Sequence, residues 1–290
     1  MKTIYLVCEG NEGSLDRLVL RKLLNDYYGY SLYIESAGGD SSLYSVAQYL
    51  KQKHKDCDAF SIEDRNYKSR EEAERSWEPT NKKFIWSRHE IENYLIEPVV
   101  IATTFKRLSE DADVSIKLSQ ELHEIRTWLR SLAQPMCENH VGWSCYYKLL
   151  PYELGYNFRI TRPQGFAGDT TKATWVEYLI KECRNKQGQS TRYGTDARLS
   201  TQEIEKTYEM EFSNISRSDY WEQDEYIIDF GGKEIINEMM REFGRYGLQN
   251  FKRDDFYEKL IQSLIENYKQ EIFRPDDFVK LAELVRANEK

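Results

Sequence analysis

Short apolar runs alternate with amphipathic stretches over the first 95 residues, and this alternation restricts the possible folds more than any other feature. Apolar residues between the runs recur at helical spacing, as they do from Leu15 to Tyr27. Strands that alternate with helices in this way predict an α/β fold, with a mainly parallel sheet flanked by helices. The runs predicted to be strands are residues 3–8, 31–36, 57–62 and 83–87.

Acidic residues follow the predicted strands at the points where those strands end. Glu9 follows the first strand, Asp64 follows the third, and Glu90 and Glu92 follow the fourth. Right-handed crossovers bring the carboxyl ends of parallel strands to one edge of a sheet, and ligands bind outside that edge near a switch in strand order. We therefore expect these carboxylates to meet. Three further acidic residues of the same segments complete the candidate set: Glu12, Asp16 and Glu63.

Carboxylates gathered at one edge are the ligands that Mg²⁺ prefers, because this hard cation binds oxygen and commonly uses one or two carboxylates together with waters. Two such ions about 4 Å apart can activate a water and stabilise a leaving oxygen in phosphodiester cleavage. Acidic residues also collect in loops simply because loops are solvated. The periodicity by itself leaves both interpretations open.

The pattern changes after Pro98. This change predicts a domain boundary, with an α/β domain over residues 1–98 and a mainly helical C-terminal domain over residues 99–290. Residues 142–170 are rich in aromatic residues and interrupted by Gly and Pro, which predicts a short hairpin or irregular strands, and residues 188–195 read as an exposed loop. Helices are predicted over residues 99–133, 201–210, 233–243, 254–269 and 275–287.

Charge and hydropathy narrow the functional classes. The net charge of −8 argues against a surface that attracts nucleic acid everywhere, so any such binding is expected to be local or to need a partner. No apolar run approaches the roughly 18 residues of a membrane span, and the N-terminus lacks the architecture of a signal peptide. Five scattered cysteines are typical of reduced thiols. We expect a cytoplasmic protein without membrane association.

Four segments of the predicted α/β domain carry distinctive motifs: YLVCEG at 5–10 with SLD at 14–16, SAGG at 36–39, FSIEDRN at 60–66 and HEIENYL at 89–95. Together they resemble the Toprim domain, in the branch related to overcoming-lysogenization-defect (OLD) nucleases. The last segment is the most specific, and it is similar to the stand-alone Toprim proteins that accompany an ATPase in PARIS anti-phage systems. The resemblance covers about residues 3–98, with shorter similarities at 230–235 and 275–285, and it implies a Toprim-like catalytic domain over residues 1–98.

The resemblance implies roles for the acidic residues. Glu9 would be the central metal ligand or proton-handling carboxylate, Asp64 the first acid of an Asp-x-Asp pair, and Asp16 a ligand of a second metal. Glu90 or Glu92 would close the site or orient a ligand. Because the first loop is extended by Asn11-Glu12-Gly13, Glu12 is an alternative to Asp16.

Basic residues beside these acids have two possible roles each. Arg65, which we count among the catalytic candidates, and Arg88 would hold the scissile phosphate or form ion pairs with the same carboxylates. His89 would transfer a proton or pack against the sheet at the start of a helix.

The function that the resemblance implies is a Mg²⁺-dependent (or Mn²⁺-dependent) endonuclease acting on RNA, tRNA included, or on DNA. It would be the effector of an anti-phage defence system, controlled by a companion ATPase of the ABC or AAA type, with a homodimer as one expected assembly. Asn66 occupies the position of the second Asp of Asp-x-Asp, which leaves one-metal and two-metal chemistry open. The alternative is a catalytically impaired Toprim-like regulatory or binding module.

Overall fold

The computed structural model of this chain describes residues 3–39, 42–54, 56–78, 81–111, 121–149, 171–189, 199–246, 248 and 251–288. Contacts between residues divide the chain into two compact units. The first unit comprises Met1–Leu129 and Ile227–Lys290, and the second comprises Arg130–Tyr226. This division differs from the predicted boundary at residue 98, because the last helices of the chain belong to the same unit as the sheet.

A four-stranded sheet lies in the first unit, and all its neighbouring strands are parallel, which confirms the predicted mainly parallel α/β architecture. The strand order is β2-β1-β3-β4, so β1 and β3 are central neighbours, with Val7 opposite Ser61. The chain leaves β1 toward β2 on one side and returns to β3 on the other, which places a switch in strand order between them. The strands are β1 (Thr3–Cys8), β2 (Tyr33–Ser36), β3 (Cys57–Glu63) and β4 (Lys83–Ile85).

Helices make up most of the remaining described structure, and the C-terminal region is helical as predicted. In chain order they are α1 (Leu15–Leu20), which continues as a π-helical segment (Arg21–Tyr27), α2 (Leu43–Lys53), α3 (Arg70–Ser76), α4 (Glu92–Leu95), α5 (Pro98–Asp111), α6 (Leu122–Ala133), α7 (Cys137–Leu149), α8 (Lys172–Gln189), α9 (Thr201–Ser216), α10 (Ser218–Glu222), α11 (Tyr226–Asp229), α12 (Gly232–Glu242), α13 (Arg253–Lys269) and α14 (Asp276–Asn288). Two 3₁₀ segments, Gln134–Met136 and Phe243–Tyr246, follow α6 and α12.

Local sequence explains why these helices form and where they pack. Leu43 and Ala47 lie on one face of α2 and bury that face against Tyr5 and Val7 of β1. Ser69 begins α3 with a capping box, in which its hydroxyl accepts from the Glu72 amide and the Glu72 carboxylate accepts from the Ser69 amide. These contacts fix the helices on the sheet and thereby fix the loops at the carboxyl edge.

One predicted helix is much shorter than expected. The sequence pattern extends from residue 88 to residue 98, but α4 forms a single turn. The His89 carbonyl would accept from the Asn93 N–H in a helix that began near residue 88, but it accepts from the Asn66 N–H at 2.8 Å instead. The Asn93 N–H therefore donates to the Glu90 carbonyl, three residues back, at 3.1 Å. The segment before α4 is therefore an irregular loop.

Helices α7, α8 and α9 form the core of the second unit. Trp175 of α8 is buried against α7, and Glu211 of α9 is buried and accepts hydrogen bonds from Ser144 Oγ and Lys148 Nζ. The hairpin predicted from residue 142 is wrong for residues 142–149, which lie in α7, and its remainder, 150–170, lies outside the described residues. Gly188 and Gln189 belong to α8 rather than to the predicted loop, whose residues 190–195 also lie outside them.

Membrane insertion has a simple structural requirement, a helix of sufficient length and apolar character. Within the described ranges, none of the helices meets both conditions.

Substitution of Gly142 would test the packing of the second unit. A Cβ at this position would lie 2.0 Å from Trp175 Cδ2, so α7 and α8 approach each other there as only glycine allows. We expect Gly142→Ala to lower the free energy of unfolding by about 1–3 kcal/mol because of overpacking. Chemical denaturation measures the change. Gly244→Ala is the matched control, since a Cβ there meets nothing within 4 Å; an equal loss in both variants would contradict the account.

Candidate functional site

The end of β1 turns sharply at Glu9-Gly10. Gly10 has φ +83°, and a Cβ on it would lie 2.6 Å from Ser14 Cβ, so the turn requires glycine for both conformation and space. The Gly10 carbonyl accepts from the Gly38 N–H at 2.8 Å, which ties this turn to the loop after β2. The chain then enters α1. As a result, Glu9 lies at the carboxyl edge of the sheet and Asp16 lies in the first turn of α1.

The end of β3 carries two acids in different environments. Glu63 is buried and forms ion pairs with Lys83 at 2.6 Å and Lys68 at 3.6 Å, so lysines neutralise it. Asp64 follows it outside the strand. Asp64 Oδ1 is buried and accepts no hydrogen bond from the described residues. A buried carboxylate oxygen without a donor is costly unless a proton or a cation compensates its charge.

Charges around Asp64 identify its neighbours. Burial raises the pKa of Asp64 well above its usual range, and the charges of four other carboxylates raise it further. Like charges act in this way only when they share a poorly solvated space. The four are Asp16, Glu9, Glu90 and Glu92, in order of decreasing effect. The structure therefore brings the predicted acids of three strand ends into one group, which we call the carboxylate cluster: Glu9, Asp16, Asp64, Glu90 and Glu92.

Asp16 is the carboxylate of the first loop and helix that joins this cluster. Burial raises its pKa to about 7, and the charges of Glu92 and Glu9 contribute to the same shift. Glu12, the alternative from the extended loop, is exposed. The geometry thus favours Asp16 over Glu12 as the acid that faces the cluster.

Glu90 and Glu92 join the cluster from the segment that follows β4. Burial raises the pKa of both side chains, and for Glu90 the charges of Glu92 and Glu234 add to the effect. Glu90 Oε1 accepts a hydrogen bond from the Lys233 backbone N–H at 2.6 Å. Because Lys233 lies in the first turn of α12, this carboxylate satisfies one of the unpaired amides at a helix N-terminus.

The start of α12 approaches α4 very closely. A Cβ on Gly232 would lie 2.6 Å from the Asn93 backbone nitrogen and 2.7 Å from the Glu92 carbonyl carbon. A Cβ on Gly231 would meet the Glu234 carboxylate at 1.9 Å. Backbone atoms cannot move aside as a flexible side chain can, so glycine is required at position 232. The pair of glycines lets α12 present its N-terminus to Glu90.

Asn93 connects these segments. Its side chain is fully buried, and the amide donates to the carbonyls of Ile227 at 2.6 Å and Phe230 at 2.7 Å. Its Oδ1 accepts from the Glu90 N–H at 3.0 Å. One side chain therefore holds the backbone of Glu90 and the turn that leads into Gly231.

The two arginines proposed to hold a phosphate are both engaged elsewhere. Arg65 is buried, and its guanidinium donates to Asp229 Oδ1 at 2.6 Å and to the Ile228 carbonyl at 3.2 Å. Arg88 forms an ion pair with Glu97 at 2.5 Å. The ion-pair alternative describes both residues, although their partners are not members of the carboxylate cluster. In this arrangement Arg65 links the loop after β3 to the segment before α12.

His89 and Asn66 also have structural roles. His89 is buried, its ring packs edge-on against Tyr67 with centroids 4.8 Å apart, and its carbonyl accepts from the Asn66 N–H at 2.8 Å. Asn66 has φ +50°, in the left-handed region that asparagine tolerates better than most residues. The asparagine at the position of the resemblance's second Asp therefore suits the backbone of this turn.

Several residues around the site were missed by the sequence reasoning. Asp229, Lys233 and Glu234 lie in or beside the segment 230–235, for which the sequence indicated only a short similarity. Arg253 and Tyr257, at the start of α13, carry charges or shifts linked to Glu92 but have no recognisable motif. The glycine pair ahead of a helix was the one available signal for the first group.

A divalent cation suits this set of donors in charge and in chemistry. The cluster supplies hard carboxylate oxygens, one of them buried without a donor, and mutual repulsion that a cation would relieve. In the part of the chain that the structure describes, no three His, Cys, Asp or Glu side chains are arranged to hold a single ion together. Mg²⁺ requires only one or two carboxylates, since waters complete its shell. The residues therefore fit a water-rich magnesium site.

Comparisons of the chain with protein-family models, with curated proteins and with solved structures found no match. The roles of the side chains consequently rest on their own placement. The cluster has donor atoms of the kind that a divalent cation prefers and, in Asp16, a carboxyl group with a pKa of about 7.

The raised pKa of Asp16 predicts a pH dependence of stability without added metal. Its folded value of about 7 lies above the ordinary 3.8, so the folded state binds more protons than the unfolded state between these values. Stability therefore falls as pH rises toward 7 and stays low above it. In EDTA, we expect the Tm of the natural chain to fall from about pH 5.5 to about pH 8 more steeply than that of Asp16→Asn.

Asp26→Asn is the matched control for this experiment, because Asp26 is exposed and pairs only loosely with Lys22 at 4.0 Å. It should follow the natural chain across the pH range. If Asp16→Asn followed it too, Asp16 would not be a member of a repelling cluster.

Loss of the Asn93 side chain should loosen the site. Asn93→Ala removes three hydrogen bonds and leaves the Glu90 amide and two carbonyls buried without partners. We expect a loss of about 3 kcal/mol in the free energy of unfolding. Denaturant unfolding measures it, with the exposed Asn185→Ala as the control, which should stay within about 0.5 kcal/mol. A loss below 1 kcal/mol at Asn93 would show that these bonds do not organise the segment.

Proposed function

We propose that this chain is a divalent-metal-dependent nuclease of the Toprim type, which hydrolyses phosphodiester bonds in RNA or DNA. The single observation that carries the proposal is the carboxylate cluster at the carboxyl edge of the sheet, with a buried Asp64 oxygen that lacks a donor. Such a cluster has no evident structural benefit, because its repulsion opposes folding. Cation binding would account for the presence of such a cluster, because the cation would relieve this repulsion.

The cluster divides into two kinds of acid. The acids at the ends of β1 and β3 and in α1 would hold the metal, together with Glu92 on α4: Glu9, Asp16, Asp64 and Glu92. A bound Mg²⁺ or Mn²⁺ supplies a Lewis acid that stabilises negative charge on a phosphate oxygen and lowers the pKa of a water. Glu90 is instead committed to the N-terminus of α12, so its role is to position Lys233.

Hydrolysis adds one water across a P–O bond. The water oxygen bonds to phosphorus, the ester oxygen leaves with a proton, and the products are a phosphate monoester and a hydroxyl group. A carboxyl group with a pKa near 7, such as Asp16, is suited to exchange that proton. Lys233 is exposed and forms no ion pair with the described residues, so its charge is available to the phosphate.

A biological role follows from the same proposal. The HEIENYL segment resembles proteins that work with an ATPase in anti-phage defence, and a nuclease that attacks cellular nucleic acid must be held inactive until infection. We therefore propose a defence effector controlled by a partner ATPase of the ABC or AAA type, acting in the cytoplasm. A homodimer would bring two sites to one substrate.

A second candidate function is a regulatory module that binds without cleaving. Two observations favour it: among the described residues no three acids are arranged around one ion, and Asn66 takes the place of a second Asp. This candidate predicts no cleavage of any nucleic acid under any metal condition.

The test is incubation with total RNA and with plasmid DNA in Mg²⁺, in Mn²⁺ and in EDTA. We expect cleavage only with metal, and Glu9→Gln and Asp64→Asn should each reduce the rate at least about a hundredfold. Glu12→Gln is the matched control, since Glu12 is an exposed acid of the same loop and should retain the full rate. Cleavage by Glu9→Gln at the natural rate would contradict the assignment.

A further inference from the structure

Two basic side chains lie beside the carboxylate cluster without forming a contact ion pair with it. Lys233 at the start of α12 and Arg253 at the start of α13 are both exposed, and neither forms an ion pair with the described residues. Arg65 and Arg88, in contrast, form ion pairs with Asp229 and Glu97, respectively. Any recognition of phosphate at this site therefore has to come from side chains other than the two arginines near the strand ends.

Arg253 is held in place by Tyr257, one turn later on the same helix. The guanidinium carbon lies over the tyrosine ring, 5.4 Å from its centroid, and Nη2 donates to the Tyr257 hydroxyl at 3.4 Å. Tyr257 itself is half-buried, so it forms a fixed base for the arginine. A guanidinium that lies on a ring keeps its remaining N–H groups free for the oxygen atoms of an anion.

This pair faces the carboxylate cluster. Both α12 and α13 pack against α4, which carries Glu92. Burial raises the pKa of Glu92, and the charges of Lys233 and Arg253 lower it again in part. Burial also raises the pKa of Tyr257 to about 12, and the charges of Glu92 and Glu90 add to this shift. The arginine is near enough to act on the cluster but does not close on it as a contact ion pair.

We propose that Arg253, held over Tyr257, anchors a phosphate of the nucleic-acid backbone next to the cleaved bond, with Lys233 binding on the α12 side. This site rests on the proposed nuclease function and deepens it. The ligand is the phosphodiester backbone, which RNA and DNA share, and the site reads no base. A chain with a net charge of −8 thereby obtains a local point of attraction for a polyanion.

The test uses fluorescently labelled single-stranded 20-mers of RNA and of DNA with one sequence, and compares the natural chain with Arg253→Gln. Binding is measured by anisotropy with Ca²⁺ in place of Mg²⁺, over a series of salt concentrations, and cleavage is measured with Mg²⁺. For the nucleic acid that is the substrate, we expect Arg253→Gln to weaken binding about tenfold. The slope of log affinity against log salt should decrease by about one.

Further readouts separate phosphate binding from a purely structural role. Arg253→Gln should raise KM about tenfold and change kcat by no more than about twofold. It should also leave the Mg²⁺ midpoint, which is the Mg²⁺ concentration that gives half of the full rise in Tm, unchanged within about twofold. Arg253→Lys keeps the charge, so it should restore the salt slope and recover only part of the affinity. The control is Arg286→Gln, an exposed arginine on α14, which should match the natural chain in every measurement.

The outcomes distinguish this site from the function on which it rests. If the natural chain cleaves one of the oligonucleotides and Arg253→Gln matches it in affinity, KM and salt slope, the phosphate site is wrong and the nuclease stands. If Arg253→Gln shifts only the Mg²⁺ midpoint, Arg253 is a counter-charge for the cluster and the site is again wrong. A natural chain that neither binds nor cleaves RNA or DNA overturns both proposals.

Discussion

Repulsion among carboxylates in a poorly solvated space governs the chemistry of this protein. Five acids from three strand ends meet at the carboxyl edge of the sheet. Burial raises the pKa of Asp16, Asp64, Glu90 and Glu92, and for the first three the charge of other cluster members adds to this effect. Each ionised member makes the ionisation of the next one less favourable. Bound protons or a bound cation would relieve this repulsion, and the proposed metal binding and proton exchange rest on this property.

Segments distant in sequence hold this arrangement together. The N-terminus of α12 receives Glu90, Gly232 allows it to approach α4, and Asn93 connects both to the preceding turn. Asp277 of α14 accepts from the Ser87 amide and from the Tyr94 hydroxyl. The sheet supplies the positions of the acids, and the C-terminal helices stabilise the irregular loop that carries two of them.

Much of the fold was predictable, because the periodicity of apolar residues indicates each β-strand and each long helix of the first unit. Right-handed crossovers then imply that the carboxyl ends of the parallel strands share one edge of the sheet. The meeting of Glu9, Asp64 and Glu90 follows from that geometry. The short helix α4 was not predictable in the same way. Its sequence is compatible with several turns, but the His89 carbonyl accepts from the Asn66 amide of the loop after β3 and so is not available to Asn93. Tertiary hydrogen bonds of that range leave no local signal.

The roles of the basic residues show the same limit. Arg65 stands next to Asp64 in sequence, yet its guanidinium pairs with Asp229, 164 positions away. Arg253 stands in no motif, yet α13 packs against α4 and brings it to the cluster. A position directly after a strand identifies which acids lie at the same edge of the sheet, because parallel strands enforce that geometry. It does not identify which basic side chains face those acids, since long side chains reach partners that are distant in sequence.

Calorimetric titration of Mg²⁺ into the metal-free chain near pH 7, in two buffers of different ionisation enthalpy, tests the central claim most directly. A cation that binds the cluster must displace protons from carboxyls with raised pKa values. The account therefore predicts saturable binding with net proton release, seen as different apparent enthalpies in the two buffers, and loss of both in Asp64→Asn. Absence of binding, or binding with equal enthalpies in both buffers and unchanged in Asp64→Asn, would contradict it.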